Sequence, residues 1–166
     1  MKENIKSLTL KNGKDYTVRD NRDRFFFPDE WMKFLDKAKK KQKFTFGFLI
    51  NTGARINEAR NVRVSDIDLD RKRIILRVTK IKARKKEVRP RPRIIPISSQ
   101  YTKYLKKYIR ESKLESEDYL GILSTPAANI AMKKALKMAG IKDYYMFPIH
   151  NIRKTLETWL MALGVD

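Results

Sequence analysis

The sequence predicts an α+β domain, mainly helical, with one small antiparallel sheet. Three observations predict it. Helix signals mark six segments after residue 25, either as apolar residues at helical spacing or as Ser, Pro and Gly bounding apolar stretches. Two runs rich in β-branched residues, Arg73–Thr79 and Arg93–Ile97, flank a basic, proline-punctuated connection and read as a hairpin with a long tip. The chain has 166 residues, 42% of them hydrophobic, enough for one domain that buries its own core.

Residues 1–24 are polar and basic and read as a leader or linker remnant, with a short hairpin over Thr9–Lys14 because Asn12-Gly13 suits a tight primed turn. The domain proper spans 25–166. Pro28-Asp29-Glu30 opens its first helix, with proline tolerated in the first turn and acids facing the positive end of the helix dipole. Trp31, Phe34, Leu35 and Ala38 form its apolar face, and Lys39-Lys40-Lys41 closes it. A second helix across Phe44 to Ile50 is apolar on nearly all sides, the pattern of a central element. Thr52-Gly53 breaks it, and a short helix follows from Arg55 to Val62. After the hairpin, Ser98-Ser99 caps a helix carrying Tyr101, Tyr104, Leu105, Tyr108 and Ile109. Ser124-Thr125-Pro126 opens the next helix, which ends before Gly140, and the last runs from near Pro148 to before Gly164.

Composition removes several kinds of chemistry. With no cysteine, the chain has no disulfide scaffold, cysteine nucleophile or thiolate metal site. One histidine excludes a multi-histidine metal centre. No apolar stretch approaches the ~20 residues of a membrane span, and Met1-Lys2-Glu3-Asn4-Ile5-Lys6 is no signal peptide, so the reading is cytoplasmic with no membrane partner. The net charge of +20 asks for a polyanion, nucleic acid by default.

The charge is concentrated. Between Arg71 and Arg93 stand twelve Lys or Arg and one acid, Glu87, so this stretch contributes +11 of the +20. A hairpin of that density can lie along a nucleic-acid backbone and displace counterions, with Arg77, Lys82, Arg84, Lys85, Lys86, Arg89 and Arg91 as its contacts. Asp66, Asp68 and Asp70 alternate like the start of a calcium loop, but Arg71 stands where that loop needs glycine and Arg77 where it needs its bidentate acid, so no metal is expected. In Thr52-Gly53-Ala54-Arg55-Ile56-Asn57-Glu58, Arg55 and Glu58 share a helix face just after a glycine turn. A guanidinium there can grip a phosphate through two parallel hydrogen bonds while the carboxylate holds it. In His150-Asn151-Ile152-Arg153 the only histidine and an arginine project the same way from a helix start, where the dipole also favours anions.

These features, in this order, resemble the catalytic domain of the tyrosine recombinase (phage integrase) family over about residues 25–166. The stretch "NTGARINEARNVRVSDIDLDRKRIILRV" looks like the family's first arginine box, and "HNIRKTLETWLMALGVD" like the start of its second, with the hairpin and its "IIPIS" return strand between them. The resemblance implies the fold of the DNA breaking-rejoining enzymes. It also implies roles: Arg55 as the first catalytic arginine, Glu58 as its supporting acid, His150 and Arg153 as the second cluster. Lys80 would be the hairpin lysine that protonates the leaving 5′ oxygen, with Lys82 as the competing choice. In the family a tyrosine hydroxyl attacks a DNA phosphodiester to give a 3′-phosphotyrosine link, with no metal, ATP or other cofactor. Two arginines aimed at the equatorial oxygens stabilise the charge that gathers there.

The family's third histidine or tryptophan and its nucleophilic tyrosine lie downstream of His-x-x-Arg, whereas this chain stops thirteen residues after Arg153, and none of its seven tyrosines occupies the nucleophile's place. The expectation is a truncated chain that binds duplex DNA without cleaving it, a monomer in solution whose relatives assemble as tetramers on DNA. Two other readings differ in class. One is a noncatalytic DNA-binding protein that keeps this fold. The other is a basic RNA-binding domain, which needs exposed aromatics among its basic residues, and the 71–93 stretch contains no Phe, Tyr or Trp. A type IB topoisomerase shares the chemistry, but the compact first box is more integrase-like. Reversing the charges of Arg84, Lys85 and Lys86 is expected to weaken duplex binding and flatten the slope of log K against log salt by up to about three, measured by fluorescence anisotropy from 50 to about 200 mM salt.

Overall fold

A computed structural model describes residues 6–9, 13, 15–18, 24–77, 92–142, 144 and 147–165. The N-terminal strands β1 (Lys6–Thr9) and β2 (Asp15–Val18) pair antiparallel with Thr9 opposite Asp15, the hairpin expected around Asn12-Gly13. Five residues, 10–14, separate the paired ends, so the connection is longer than the two-residue primed turn expected; Gly13 within it has a φ of 74°.

Among the described residues six α-helices follow: α1 (Pro28–Lys37), α2 (Lys40–Thr52), α3 (Ile56–Arg60), α4 (Ser99–Glu111), α5 (Thr125–Met138) and α6 (Asn151–Ala162). A 3-10 turn, Val64–Asp66, leads into β3 (Ile67–Asp68), which joins β4 (Arg73–Leu76) and β5 (Arg93–Pro96) in an antiparallel sheet of order β3-β4-β5. The two-residue β3 is an addition to the expected hairpin, too short to leave a periodic signal. β4 runs to Leu76, Arg77 lies just past it with its guanidinium on Asp66, and Val78 and Thr79 of the expected strand lie outside the described residues. Arg63 and Tyr119 add an isolated bridge, so the loop after α4 is tied to the turn before the sheet.

The lysine run corrects one boundary. Lys39-Lys40-Lys41 does not end the first helix; α1 ends at Lys37, and Lys40 already begins α2. The Gln42 side chain accepts from the Lys39 N–H at 2.9 Å, which caps a new helix inside the run. The serine caps behave as their chemistry predicts: Ser98 Oγ accepts from Tyr101 N and Ser124 Oγ from Ala127 N. The last helix starts at Asn151 and not at Pro148, since Ile149 and His150 form the turn that leads in.

α2 is the central helix, buried along Phe44, Phe46, Phe48, Leu49 and Ile50, and it packs against α3, α5 and α6. At one end Phe44 lies face to face with Tyr108 at 3.5 Å between ring centroids, and the Tyr108 hydroxyl donates to Leu120 O at 2.7 Å. Around Phe46, two residues on, α2 meets an aromatic cluster centred on Phe26, fully buried within 5.2 Å of the Trp31, Phe34 and Phe147 rings. The backbone of Phe26 is also claimed by α6, since its N–H donates to Thr155 Oγ1 and its carbonyl accepts from Trp159 Nε1. No helix among the described residues is long and apolar enough to cross a membrane.

Phe26→Ala is expected to lower the unfolding free energy by about 3–5 kcal/mol, through lost burial and the cavity left between three rings. Thr155→Val, which keeps the volume and strands a buried N–H, is expected to lower it by about 1–3 kcal/mol. Urea denaturation followed by tryptophan fluorescence measures both.

Candidate active site

Arg55, His150 and Arg153 line one open cleft of about 560 Å³, with Leu49, Ala54, Ile56, Ile149, Lys154 and Glu157 completing its wall. The residues come from two places in the chain and meet because α2 and α6 pack side by side.

Gly53 delivers the first arginine. It closes α2 in the left-handed region, with φ 63° and ψ 18°, and its N–H bonds to Leu49 O. A Cβ on Gly53 would stand 3.1 Å from Leu156 Cδ2 of α6. Glycine therefore both makes the turn and admits the close approach of α6. Thr52 Oγ1 accepts from Ala54 N and donates to Phe48 O, which fixes the short link to Arg55. Arg55 is the N-cap residue of α3 in extended geometry, its side chain two-thirds exposed toward the cleft.

Glu58 holds it. The Glu58 carboxylate is 4% exposed; Oε2 accepts from Arg55 N at 3.0 Å and Oε1 from Arg55 Nη1 at 3.3 Å. The supporting role expected of Glu58 thus combines a helix cap with an ion pair. Arg93 on β5 also reaches this carboxylate, donating from Nη2 to Oε2 at 2.5 Å. Sequence reasoning missed Arg93, because nothing local links it to a residue 35 positions earlier.

The second cluster is positioned by the back of α6. Asn129 Oδ1 accepts from Ile149 N, and Asn151 Nδ2 donates to Arg24 O, so both sides of His150 are anchored. His150 itself is exposed at the N-cap position, with α6 running away behind it. Arg153, one turn on, donates from Nε to Glu157 Oε1 at 3.0 Å. Its Nη1 is buried without a hydrogen-bond partner among the described residues. An unsatisfied guanidinium nitrogen beside a second arginine, a histidine and a helix N-terminus suits an oxyanion. Lys154 and Glu157 were also missed as wall residues, although Glu157 is readable as the i+4 partner of Arg153.

The remaining expected residues fall elsewhere. Lys80, Lys82, Arg84, Lys85, Lys86, Arg89 and Arg91 lie outside the described residues. Arg77, expected to touch nucleic acid, has its guanidinium on Asp66 at 2.9 and 3.2 Å. Asp66 also caps the 3-10 turn through Arg63 N. Asp68 accepts from Arg71 N and from the Arg71 and Arg73 side chains, with the backbone bond foremost in holding its carboxyl below the ordinary carboxylate range. These acids serve arginines, and no cluster of three metal-ligating residues occurs among the described residues. Tyr101, Tyr104 and Tyr108 sit on α4 and are not among the residues that line the cleft, and burial pushes their phenols up.

Comparison with known proteins adds a family. Residues 25–166 match the phage integrase family. A tyrosine recombinase of Pseudothermotoga lettingae is 30% identical over 148 residues, which cover 86% of this chain and 48% of that protein. The chain spans about half the length of the curated relatives it matches. Among solved structures, a XerA recombinase superposes with a TM-score of 0.65 at 23% identity, over 86% of this chain and 52% of that one. A Tn1549 transposon integrase in complex with transposon right end DNA gives 0.68 at 17% identity, over 96% and 59%.

Removing the Glu58 carboxylate is expected to loosen α3 and the sheet together. Glu58→Ala should cost about 2 kcal/mol, as a lost cap and an unpaired buried arginine edge. Glu58→Gln, which still accepts from Arg55 N, should cost less. Thermal melts of the two variants order these effects.

Proposed function

The chain belongs to the phage integrase family, and from that premise we propose that it is the catalytic domain of a site-specific DNA recombinase or integrase. Its substrate is duplex DNA, and the scissile phosphate occupies the cleft between α3 and α6. The observation that carries this reading is the convergence of Arg55, His150 and Arg153 on one open cleft, with a buried Arg153 nitrogen that has no hydrogen-bond partner among the described residues.

Arg55 and Arg153 hold the two non-bridging oxygens. As a tyrosine Oη forms its bond to phosphorus, the bond to the 5′ oxygen breaks, and both arginines face the charge that accumulates on the equatorial oxygens. His150 serves the proton of the attacking hydroxyl, and Lys80 of the hairpin gives a proton to the leaving 5′ oxygen. The 5′ hydroxyl later attacks the phosphotyrosine in reverse, so the strand is rejoined without ATP, and no metal is called on. Arg84, Lys85, Lys86, Arg89 and Arg91, close to Lys80 in sequence, supply counterion-releasing contacts to the backbone. The reading fits a cytoplasmic protein that is monomeric when free and assembles on DNA.

Among the described residues, the cleft wall contains no tyrosine. The 166-residue chain is therefore expected to shift a duplex oligonucleotide and to form no phosphotyrosine-linked band on it. In a version carrying the attacking tyrosine, Arg55→Ala should lower strand cleavage on the order of 100- to 1,000-fold, with only a modest loss of DNA affinity. A nicked suicide substrate measures the first and anisotropy the second. Unchanged cleavage would remove Arg55 from the site, and a covalent band from the present chain would place the nucleophile within it.

A further inference from the structure

Arg93 occupies the last rung of the β4–β5 ladder, opposite Leu76, where the basic connection leaves the sheet. Its Nη2 meets Glu58 Oε2, the same oxygen that caps Arg55 N, while Arg55 Nη1 has the other oxygen at the longer distance of 3.3 Å. Its Nε is buried and has no hydrogen-bond partner among the described residues. One carboxylate thus serves two guanidiniums, and the shorter contact belongs to the arginine outside the cleft wall.

We propose that Arg93 is a positioning residue that keeps Arg55 available to an anion. Two cations share one negative charge, so the attraction left for Arg55 is only partial. Arg93 satisfies Glu58 from the sheet side, and the Arg55 guanidinium stays half-engaged and turned to the cleft. Without Arg93, the full carboxylate charge acts on Arg55 alone and draws it into a two-bond pair. The phosphate then has to compete with Glu58 for the same nitrogens. This role of Arg93 rests on the reading of Arg55 as a phosphate-binding residue.

The test uses the 166-residue chain with ¹⁵N-labelled arginine, the Arg55 Nε–H resonance being assigned through Arg55→Lys. In the absence of DNA, Arg93→Gln should move that resonance downfield and slow its solvent exchange, whereas Arg93→Lys, which keeps a cation on Glu58, should largely restore both. With a 20-base-pair duplex as probe, Arg93→Gln should raise the dissociation constant about threefold in the Arg55 background, no more than the modest loss expected of Arg55→Ala itself. In the Arg55→Ala background the same change should have less than about a twofold effect. Additive losses would show that Arg93 acts by its own charge, and an unmoved Arg55 resonance would show that it does not act on Arg55. Either result overturns the proposal. A DNA-free shift in a chain whose Arg55 resonance ignores the duplex would uphold the coupling and sink the phosphate-binding reading instead. Arg93→Met, an uncharged unbranched stem, repeats the test should the Gln variant fail to fold.

Discussion

A carboxylate as buried as that of Glu58, 4% exposed, has left most of its hydration and must recover it from donors within the protein. Three donors do so: the Arg55 backbone, the Arg55 guanidinium and the Arg93 guanidinium. The rest of the cleft depends on this arrangement. It starts α3, sets the direction in which Arg55 leaves the chain, and ties the sheet to the helices at the point where the site is built. The chain carries twenty more basic than acidic residues, so like charges must be held close in many places. Buried acids beneath exposed arginines make that affordable.

Asp66 repeats the device. It caps the 3-10 turn through Arg63 N and receives the guanidinium of Arg77, as Glu58 caps α3 and receives that of Arg93. Arg77, just past β4, and Arg93, on β5, flank the basic connection. The root of the hairpin is therefore pinned on both sides by arginines bound to buried carboxylates, each carboxylate also being the cap of a short helical turn. The fold thus fixes both ends of a connection whose sequence carries seven further Lys or Arg and one acid between residues 78 and 92.

Much of this was legible because the signals are local. Ser98 and Ser124 cap helices by bonding to a backbone N–H three residues on, and a sequence displays that spacing directly. Arg55 with Glu58, and His150 with Arg153, are likewise near neighbours whose periodicity puts them on common faces. What stayed hidden is non-local or energetically slight. The break at Ala38 and Lys39 rests on a single glutamine cap inside a lysine run that otherwise reads as one terminator. β3 contains two residues and exists only because β4 is there to pair with it. The partnership of Arg93 and Glu58 depends on the sheet docking against α3, which no pattern within either segment encodes.

The clamp on Phe26 has a consequence for the order of assembly. Its two backbone bonds to α6 join residues 129 and 133 positions apart, nearly the full span of the domain. Such contacts cannot form until the last helix exists, and closing so long a loop makes them late events in folding. On the ribosome, the first core residue of the domain waits for the helix that follows His150 to emerge. The cleft and the final closure of the core then appear in one step, so a partly synthesised chain carries its positive charge well before it has a site able to act.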